Sequence, residues 1–265
     1  MKKYLYILSI LIICGLSACC PKASNNADKT SDKKTAAVVS SKSNGGVKPE
    51  EDSSAFVLIT DVIPEAILEI RYYSTFNFIG DRIPGYEEPV ALMTKQACDS
   101  LKVVSDELMA NGYRLKIYDA YRPQCAVDYF VEWAKDVNDT RMKEYFYPEL
   151  DKSVLIPLEY IASSSSHTRG STVDLTLFDM RTQKEADMGC TFDYFGDASH
   201  PTILPGQPCG AYKPINEEQY RNRMILSEAM LAHGFRPYDC EWWHFTLRGE
   251  PFPDTYFTFA NKSLR

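Results

Sequence analysis

Two short segments contain the residues of this sequence that are best suited to metal chemistry. Histidine is scarce, with 4 in 265 residues. His167 lies in a stretch that runs through Gly170 to Asp174, and His244 ends a Glu-Trp-Trp-His sequence that begins at Glu241. A hydrolytic zinc site needs three protein ligands, commonly histidine and carboxylate, and an open fourth position for water. It also needs a carboxylate near that water as general base.

The spacing of these residues is compatible with one such site. His167 precedes a bend at Gly170 and Asp174 falls in the strand that follows, so the two side chains can converge on one ion. From a neighbouring strand, His244 can supply the third ligand and Glu241 the base. Residue types alone also allow a structural alternative, a loop histidine and a hydrogen-bonded core aspartate. The remaining histidines are interpreted as structural: His200 and His233.

The elements that would position these residues follow from apolar periodicity and from helix start and stop signals. Residues 55–72 predict a strand, a turn and a second strand. Helices are predicted over 94–111 with Thr94 as cap, over 123–135 with Pro123 in the first position, and over 216–233 with Asn216 as cap. Strands are predicted over 113–118, 171–178 and 242–247. Because helices and strands do not alternate regularly, we expect an α+β domain, compact and single, with a mainly antiparallel sheet and flanking helices.

The first 52 residues differ in composition from the rest. Lys2 and Lys3 precede an apolar run over 4–14 that is too short to span a bilayer. The Leu-Ser-Ala-Cys order that ends at Cys19 resembles a bacterial lipobox, with an ordinary signal peptide as the alternative. We therefore expect a lipoprotein signal peptide over 1–18, a lipidated Cys19 with a flexible tether over 19–52, and a folded domain over 53–265. Such a protein is exported and held by its lipid on a bacterial membrane, at the periplasmic or surface side.

Charge and cysteine content narrow the class of partner and of metal site. The net charge of −7 argues against nucleic acid as a partner. The 8 cysteines form neither a CxxC motif nor a Cys/His cluster, which argues against a zinc site built on cysteine. Outside the cytoplasm thiols can pair. We predict a disulfide between Cys190 and Cys209, which bracket the loop before the last helix.

Several motifs together resemble a known enzyme family. His-x-x-Gly-x-x-x-Asp followed far downstream by Glu-x-x-His is the pattern of the D-Ala metallopeptidases, which share a fold with the Hedgehog signalling domain. Within that group the chain is similar to the VanX-type D-Ala-D-Ala dipeptidases, from about Asp61 to the C-terminus. The stretches that carry the resemblance are 118–123, 165–177, Met188-Gly189, Phe192-Asp193 and 241–244.

The resemblance implies a site and a reaction. One zinc ion per chain would be bound by His167, Asp174 and His244, and the substrate would be the dipeptide D-Ala-D-Ala. Glu241 would take a proton from the zinc-bound water and pass it to the leaving amine, and Arg122 would stabilise the oxyanion. The dipeptide would be bound by further residues: Ser165, Asp193, Tyr72 and Asp119. Asp119 also lies where it can orient Arg122, and Tyr86 is a further candidate.

Two other functions are compatible with the same fold. A peptidoglycan D,D-carboxypeptidase or endopeptidase needs one side of the site open to a long peptide, whereas a dipeptidase must enclose a free ammonium. The long irregular stretches 136–158 and 187–214 favour a closed pocket, because such excursions in compact domains are usually functional. A non-catalytic binder of wall peptides is disfavoured, because the base and all three ligands are present.

Overall fold

The computed structural model describes residues 52–264, and a twisted sheet forms the centre of this part of the chain. The order of its main strands is β2-β4-β5-β8-β7, and β6 pairs with β5. The bounds are β2 Ile67–Leu68, β4 Tyr113–Asp119, β5 Thr172–Asp179, β6 Lys184–Glu185, β7 Phe235–Tyr238 and β8 Glu241–Leu247. The β2–β4 pair is parallel and the other pairs are antiparallel. The predicted α+β class with a mainly antiparallel sheet is confirmed.

Strand β5 shows why the sheet has one apolar and one polar face. Its side chains alternate, with Val173, Leu175 and Leu177 on one face and Thr172, Asp174 and Thr176 on the other, and all six are buried. The apolar face joins the main hydrophobic core. A polar row that is also buried must be hydrogen-bonded or bind a ligand, because unpaired polar groups are costly away from water.

Helices cover the sheet and supply the rest of the core. Their bounds are α1 Ile59–Val62, α2 Lys95–Ala110, α3 Gln124–Lys135, α4 Lys143–Phe146 and α5 Glu217–Ala232. α2 packs on β4 and α5 packs on β7, β5 and β8. The prediction for α5 is confirmed in detail, because the Asn216 side chain accepts from the backbone N–H groups of Glu218 and Gln219 and completes a capping box.

Several local predictions are wrong in informative ways. In 55–72 the predicted strand, turn and strand are present, but the unpredicted helix α1 lies between strand β1, Phe56–Leu58, and the turn at 64–65. β1 pairs with an unpredicted strand β3, Leu92–Thr94, in a separate two-stranded sheet. Thr94 does not cap α2 with its side chain, because its hydroxyl bonds the Ser171 hydroxyl at 2.8 Å. Pro123 stands at the cap position, one residue before α3.

The predicted Cys190–Cys209 disulfide is also wrong, because both side chains are free thiols. The Cys190 thiol lies 3.2 Å from the carbonyl oxygen of Ala198 and accepts a hydrogen bond from Trp242 Nε1 at 3.3 Å. The Cys209 thiol lies 3.1 Å from the carbonyl oxygen of Lys213. Each sulfur therefore has hydrogen-bond partners other than the second cysteine.

The N-terminal predictions lie outside the described residues. These are the signal peptide over 1–18, the lipid on Cys19 and the tether up to residue 51. Within 52–264, no helix has both the length and the apolar character that crossing a bilayer requires.

Candidate metal and substrate site

Three adjacent strands bring acidic and histidine side chains into one row. In the sheet register, Asp119 of β4 lies opposite Asp174 of β5, and Asp174 lies opposite His244 of β8. Directly paired residues have their side chains on the same face. The polar face of β5 therefore carries Asp174 between two other titratable side chains.

His167 reaches this row from a short 3₁₀ turn, Ser166–Arg169, that precedes β5. The Ser165 side chain caps the turn by accepting from the His167 backbone N–H at 3.3 Å. Gly170 ends the turn with φ +79°, a left-handed conformation that favours glycine. A Cβ at this position would also overlap the Phe56 ring. The sequence folds here as a sharp turn because glycine is the residue that fits both constraints.

The three candidate ligands lie close enough together to bind one ion, and each histidine nitrogen is near a different oxygen of Asp174. His167 Nε2 lies 3.3 Å from His244 Nδ1 and 3.2 Å from Asp174 Oδ2, and His244 Nδ1 lies 3.2 Å from Asp174 Oδ1. Ligand bonds of about 2.0–2.1 Å in a tetrahedron place donor atoms roughly 3.3 Å apart. Two imidazoles and one carboxylate are also a donor set that zinc prefers. The three residues therefore fit a zinc ion.

The ionised carboxylate of Asp174 is compatible with this fit. Burial would raise the pKa of Asp174, but the nearby His167 and His244 hold it well below its usual range, so the carboxylate stays ionised. Burial lowers the pKa of His244, but the neighbouring Asp174 and Glu241 carboxylates raise it to about 9. Asp174 Oδ1 is buried and accepts no hydrogen bond, although His244 Nδ1 lies 3.2 Å away. Such an oxygen can satisfy its lone pairs on a cation.

The outward-facing nitrogens of both imidazoles have oxygen partners. His167 Nδ1 lies 2.7 Å from the carbonyl oxygen of Ala120, and His244 Nε2 lies 3.3 Å from the Ser166 hydroxyl. A carbonyl can only accept, so His167 Nδ1 carries a proton and Nε2 presents its lone pair to the site. Partners of this kind orient metal-binding histidines and fix their tautomer.

Glu241 lies next to the ligand cluster. The structure places its Oε2 3.4 Å from His244 Nδ1, and its side chain is 33% exposed. Glu241 pairs with Tyr238 across the hairpin between β7 and β8, directly after the two-residue turn 239–240. The tight turn fixes the start of β8, so Glu241 is held beside the cluster while one side of its carboxylate faces the cavity.

Arg122 is held over the cluster by carboxylates and aromatic rings. Its Nε donates to Asp119 Oδ2 at 2.9 Å, and its Nη2 lies 3.5 Å from Asp174 Oδ2. The guanidinium carbon lies 4.9 Å from the Tyr72 ring centre. Asp119 also accepts a hydrogen bond from Tyr86 at 2.7 Å. Asp119 thus orients Arg122, as the sequence predicts, and Tyr86 lies behind Asp119.

Asp193 lies in the long loop before α5 and has an unusual backbone. Its φ is +61°, which is strained for a residue with a side chain. The preceding Phe192 stacks on Tyr118, with ring centres 4.8 Å apart, and helps to hold this conformation. Tyr72 donates to Asp193 Oδ2 at 2.9 Å. Burial raises the pKa of Asp193 well above its usual range, and the nearby Asp174 and Glu241 raise it further. The positive charge of Arg122 lowers this pKa, but by less than the other groups raise it.

Comparison with known proteins decides the family. Residues 52–262 match the family model Peptidase_M15, described as D-Ala-D-Ala dipeptidase. A D-alanyl-D-alanine dipeptidase of Enterococcus faecalis is 37% identical over 207 residues, which is 78% of this chain and 98% of that protein. The chain belongs to the D-Ala-D-Ala dipeptidase family. The resemblance inferred from the motifs is confirmed, and the protein is a zinc metallopeptidase of this family.

Other relatives give the same result. A D-alanyl-D-alanine dipeptidase of Enterococcus faecium is 36% identical, over 78% of this chain and 98% of that protein. One of Streptomyces coelicolor is 34% identical, over 77% of this chain and 96% of that protein. A solved structure of the vancomycin-resistance D,D-pentapeptidase VanY with Zn(II) covers 60% of this chain and 74% of its own, at 16% identity and a TM-score of 0.34. That overlap is too small to support an argument.

The family member described here has a cavity of about 500 Å³ around the cluster. Most predicted site residues line it: Tyr72, Arg122, Ser165, His167, Asp174, Asp193, Glu241 and His244. Asp119, predicted to bind the dipeptide, is 1% exposed and instead supports Arg122 from behind. His200 and His233 lie outside the cavity lining, and His233 Nε2 lies 2.6 Å from Glu107 Oε2.

The structure also adds cavity residues that the sequence analysis did not select: Glu159, Tyr160, Ser166, Arg236 and Tyr238. Ser166 belongs to the run of serines directly before His167, and that run was the feature of the sequence that could have indicated it. Two of the others belong to β7, a strand that was not predicted. The excursion 136–158 contributes no lining residue among those described, whereas the segment after it, 159–162, does.

Proposed function

We propose that this protein hydrolyses D-Ala-D-Ala to two molecules of D-alanine with one zinc ion bound by His167, Asp174 and His244. The observation that carries the proposal is the cavity, which is lined by this ligand triad, the adjacent Glu241 and the buried Asp193. The substrate is inferred from the relatives, which are D-Ala-D-Ala dipeptidases and match this chain over nearly their whole length. When bound, zinc supplies a Lewis acid that acidifies water and polarises the scissile carbonyl.

Glu241 is the general base in this proposal. Its carboxylate lies beside the cluster and faces the cavity, so it can accept a proton from the attacking water. The water oxygen forms a bond to the carbonyl carbon, and the proton stays on Glu241. When the C–N bond breaks, Glu241 returns that proton to the leaving amine. The carboxylate is thereby regenerated and the reaction balances.

Arg122 stabilises the charge that develops on the carbonyl oxygen. Its guanidinium is fixed before substrate arrives, because Asp119 holds Nε and the Tyr72 ring lies beneath it. A donor that is already oriented loses little free energy to reorganisation as the oxyanion forms. Its side chain is 12% exposed, so little water weakens the interaction.

Asp193 binds the substrate ammonium, with Tyr72 as its hydrogen-bonded support. A free dipeptide carries a cation close to the bond that is cut, and a buried cation needs a counter-charge. Asp193 is a carboxylate that lines the cavity and is 7% exposed. The ammonium would add a positive charge beside Asp193, which favours its ionised form against the burial that raises its pKa. Ser165 lines the cavity next to the ligand turn and contributes a further polar contact to the dipeptide.

Cellular location is part of the same proposal and depends on the sequence alone. From the lipobox-like order before Cys19 we propose that the enzyme is held by a lipid on a membrane outside the cytoplasm. Wall peptides would then be within reach, which keeps a D,D-carboxypeptidase or endopeptidase activity as the second candidate.

Parallel assays on two substrates test the proposal. The purified protein is incubated with D-Ala-D-Ala and with a wall pentapeptide that ends in D-Ala-D-Ala, and released D-alanine is measured. We expect turnover of the dipeptide, its loss with a chelator and its return with zinc. Faster cleavage of the pentapeptide would favour the carboxypeptidase, and no turnover of either would leave a non-catalytic binder.

A further inference from the structure

The cavity contains a cation that the proposed reaction does not use. Its lining, within the described chain, has two arginines and no lysine. Arg122 is committed to Asp119 at 2.9 Å and lies 3.5 Å from Asp174. The second arginine is Arg236, on the edge strand β7, whereas Asp193 is hydrogen-bonded to Tyr72, which follows β2 at the opposite edge of the sheet.

The sheet register directs Arg236 to the cavity face. Arg236 pairs with Thr246 of β8, and His244 is two residues before Thr246 on the same face. Side chains of directly paired residues share a face, and a diagonal neighbour such as His244 lies about 7–8 Å away. The Thr246 hydroxyl is already hydrogen-bonded to Thr172 at 2.9 Å. Arg236 is therefore the long polar side chain that this row offers to a ligand.

The guanidinium of Arg236 is poorly compensated. Its ion pair within the described residues is with Glu250, and Nη2 lies 3.9 Å from Oε1, beyond hydrogen-bond distance. Glu250 is already held by Arg169 through two hydrogen bonds of 2.8 Å. Arg169 neutralises that carboxylate, so the charge of Arg236 is left for another anion. Its side chain is 58% exposed and belongs to the cavity lining.

A dipeptide brings such an anion to this place. It carries an ammonium at one end and a carboxylate at the other, with the scissile bond between them. If Asp193 holds the ammonium and the ligand cluster lies at the scissile bond, the carboxylate extends away from Asp193. We propose that Arg236 binds the C-terminal carboxylate of the substrate and makes the enzyme selective for a free C-terminus. This assignment rests on the proposed dipeptidase function.

Two substrates that differ only in this charge test the assignment. The zinc-loaded full-length protein is assayed with D-Ala-D-Ala and with its C-terminal amide, D-alanyl-D-alaninamide. For Arg236→Gln we expect KM for D-Ala-D-Ala to rise about 10-fold to 100-fold, the range for a lost hydrogen bond to a charged group. The turnover number should stay nearly constant, because the contact is made equally in the ground and transition states. Kinetics on the amide should change little.

Matched variants separate this role from a general charge effect. Arg248→Gln removes the same charge from an exposed position just beyond β8 and should leave both substrates unchanged. Arg236→Lys should recover part of the lost affinity, because lysine keeps the charge without the planar pair of donors. A loss in Arg236→Gln that is equal on both substrates, or an unchanged KM for D-Ala-D-Ala, would overturn the assignment while the dipeptidase function stands. A wild-type protein that cleaves neither substrate would overturn both.

Discussion

Replacing Asp193 with asparagine removes the charge that faces the substrate ammonium and retains the size of the side chain. The amide oxygen can still accept the hydrogen bond that Tyr72 donates at 2.9 Å. Asparagine also tolerates the left-handed backbone found here, φ +61°, better than most residues. The substitution therefore isolates the ion pair from the packing around it.

The magnitude follows from the burial of the pair. Removing one partner of a buried charge pair costs about 2–5 kcal/mol. Asp193 is 7% exposed, and burial raises its pKa. The free energy needed to ionise Asp193 therefore offsets part of the free energy of the ion pair. The lower end of the range applies, about 2–3 kcal/mol, which is about 30-fold to 150-fold in kcat/KM. The zinc content should not change, because Asp193 is not one of the three ligands.

The assay compares D-Ala-D-Ala with N-acetyl-D-Ala-D-Ala, which has no ammonium. The wild-type enzyme should have a much higher kcat/KM for D-Ala-D-Ala than for the acetylated dipeptide. Asp193→Asn should reduce the ratio of these two kcat/KM values by the same factor by which it reduces kcat/KM for D-Ala-D-Ala. Asp197→Asn, an exposed change in the same loop, is the matched control. Equal losses on both substrates would refute the reasoning, because Asp193 would then support the fold or the metal.

The same variant has an expected effect on stability with a defined sign. Because burial, Asp174 and Glu241 raise the pKa of Asp193, the folded protein binds its proton more tightly than the unfolded chain does. Stability is then lost as pH rises above the unfolded pKa of about 4. In zinc-free protein, Asp193→Asn should raise the melting temperature at neutral pH, and the gain should shrink as pH falls toward 4.

Four further changes test the remaining roles. Glu241→Gln should keep zinc and lose about 10²–10⁴-fold in turnover, because the water lacks a proton acceptor; near-normal turnover would make Glu241 structural. His167→Ala should lose both zinc and activity, and full zinc occupancy by elemental analysis would contradict its role as a ligand. Ser166→Ala should weaken zinc binding about 10-fold to 100-fold in a chelator competition, because His244 Nε2 loses its partner; an unchanged affinity would show that Ser166 does not orient the ring. Cys19→Ser should release the protein from membranes or stop its processing, and detergent-sensitive membrane association of the variant would disprove the lipobox.

The sequence by itself determined the helix caps and turns that depend on neighbouring residues alone. Asn216 begins α5 because its side chain satisfies the free N–H groups of the first turn, and that signal needs no partner distant in sequence. Gly170 marks the turn before β5 because the left-handed backbone favours glycine. The motif around His167, Asp174, Glu241 and His244 was sufficient to identify the family, which the comparison then confirmed.

Tertiary structure decided which side chains meet. Asp174 lies beside His244 because β5 and β8 pair in one particular register, and a shift of one residue would turn the whole row to the other face. Arg236 escaped the sequence analysis because β7 is short, with Phe235 as its one buried residue, and its place in the sheet comes from pairing with β8. Cys190 and Cys209 are close to the same loop by sequence, yet their thiols have other partners. Local chemistry fixes turns and caps, whereas strand pairing and the direction of each side chain depend on contacts between residues far apart in the chain.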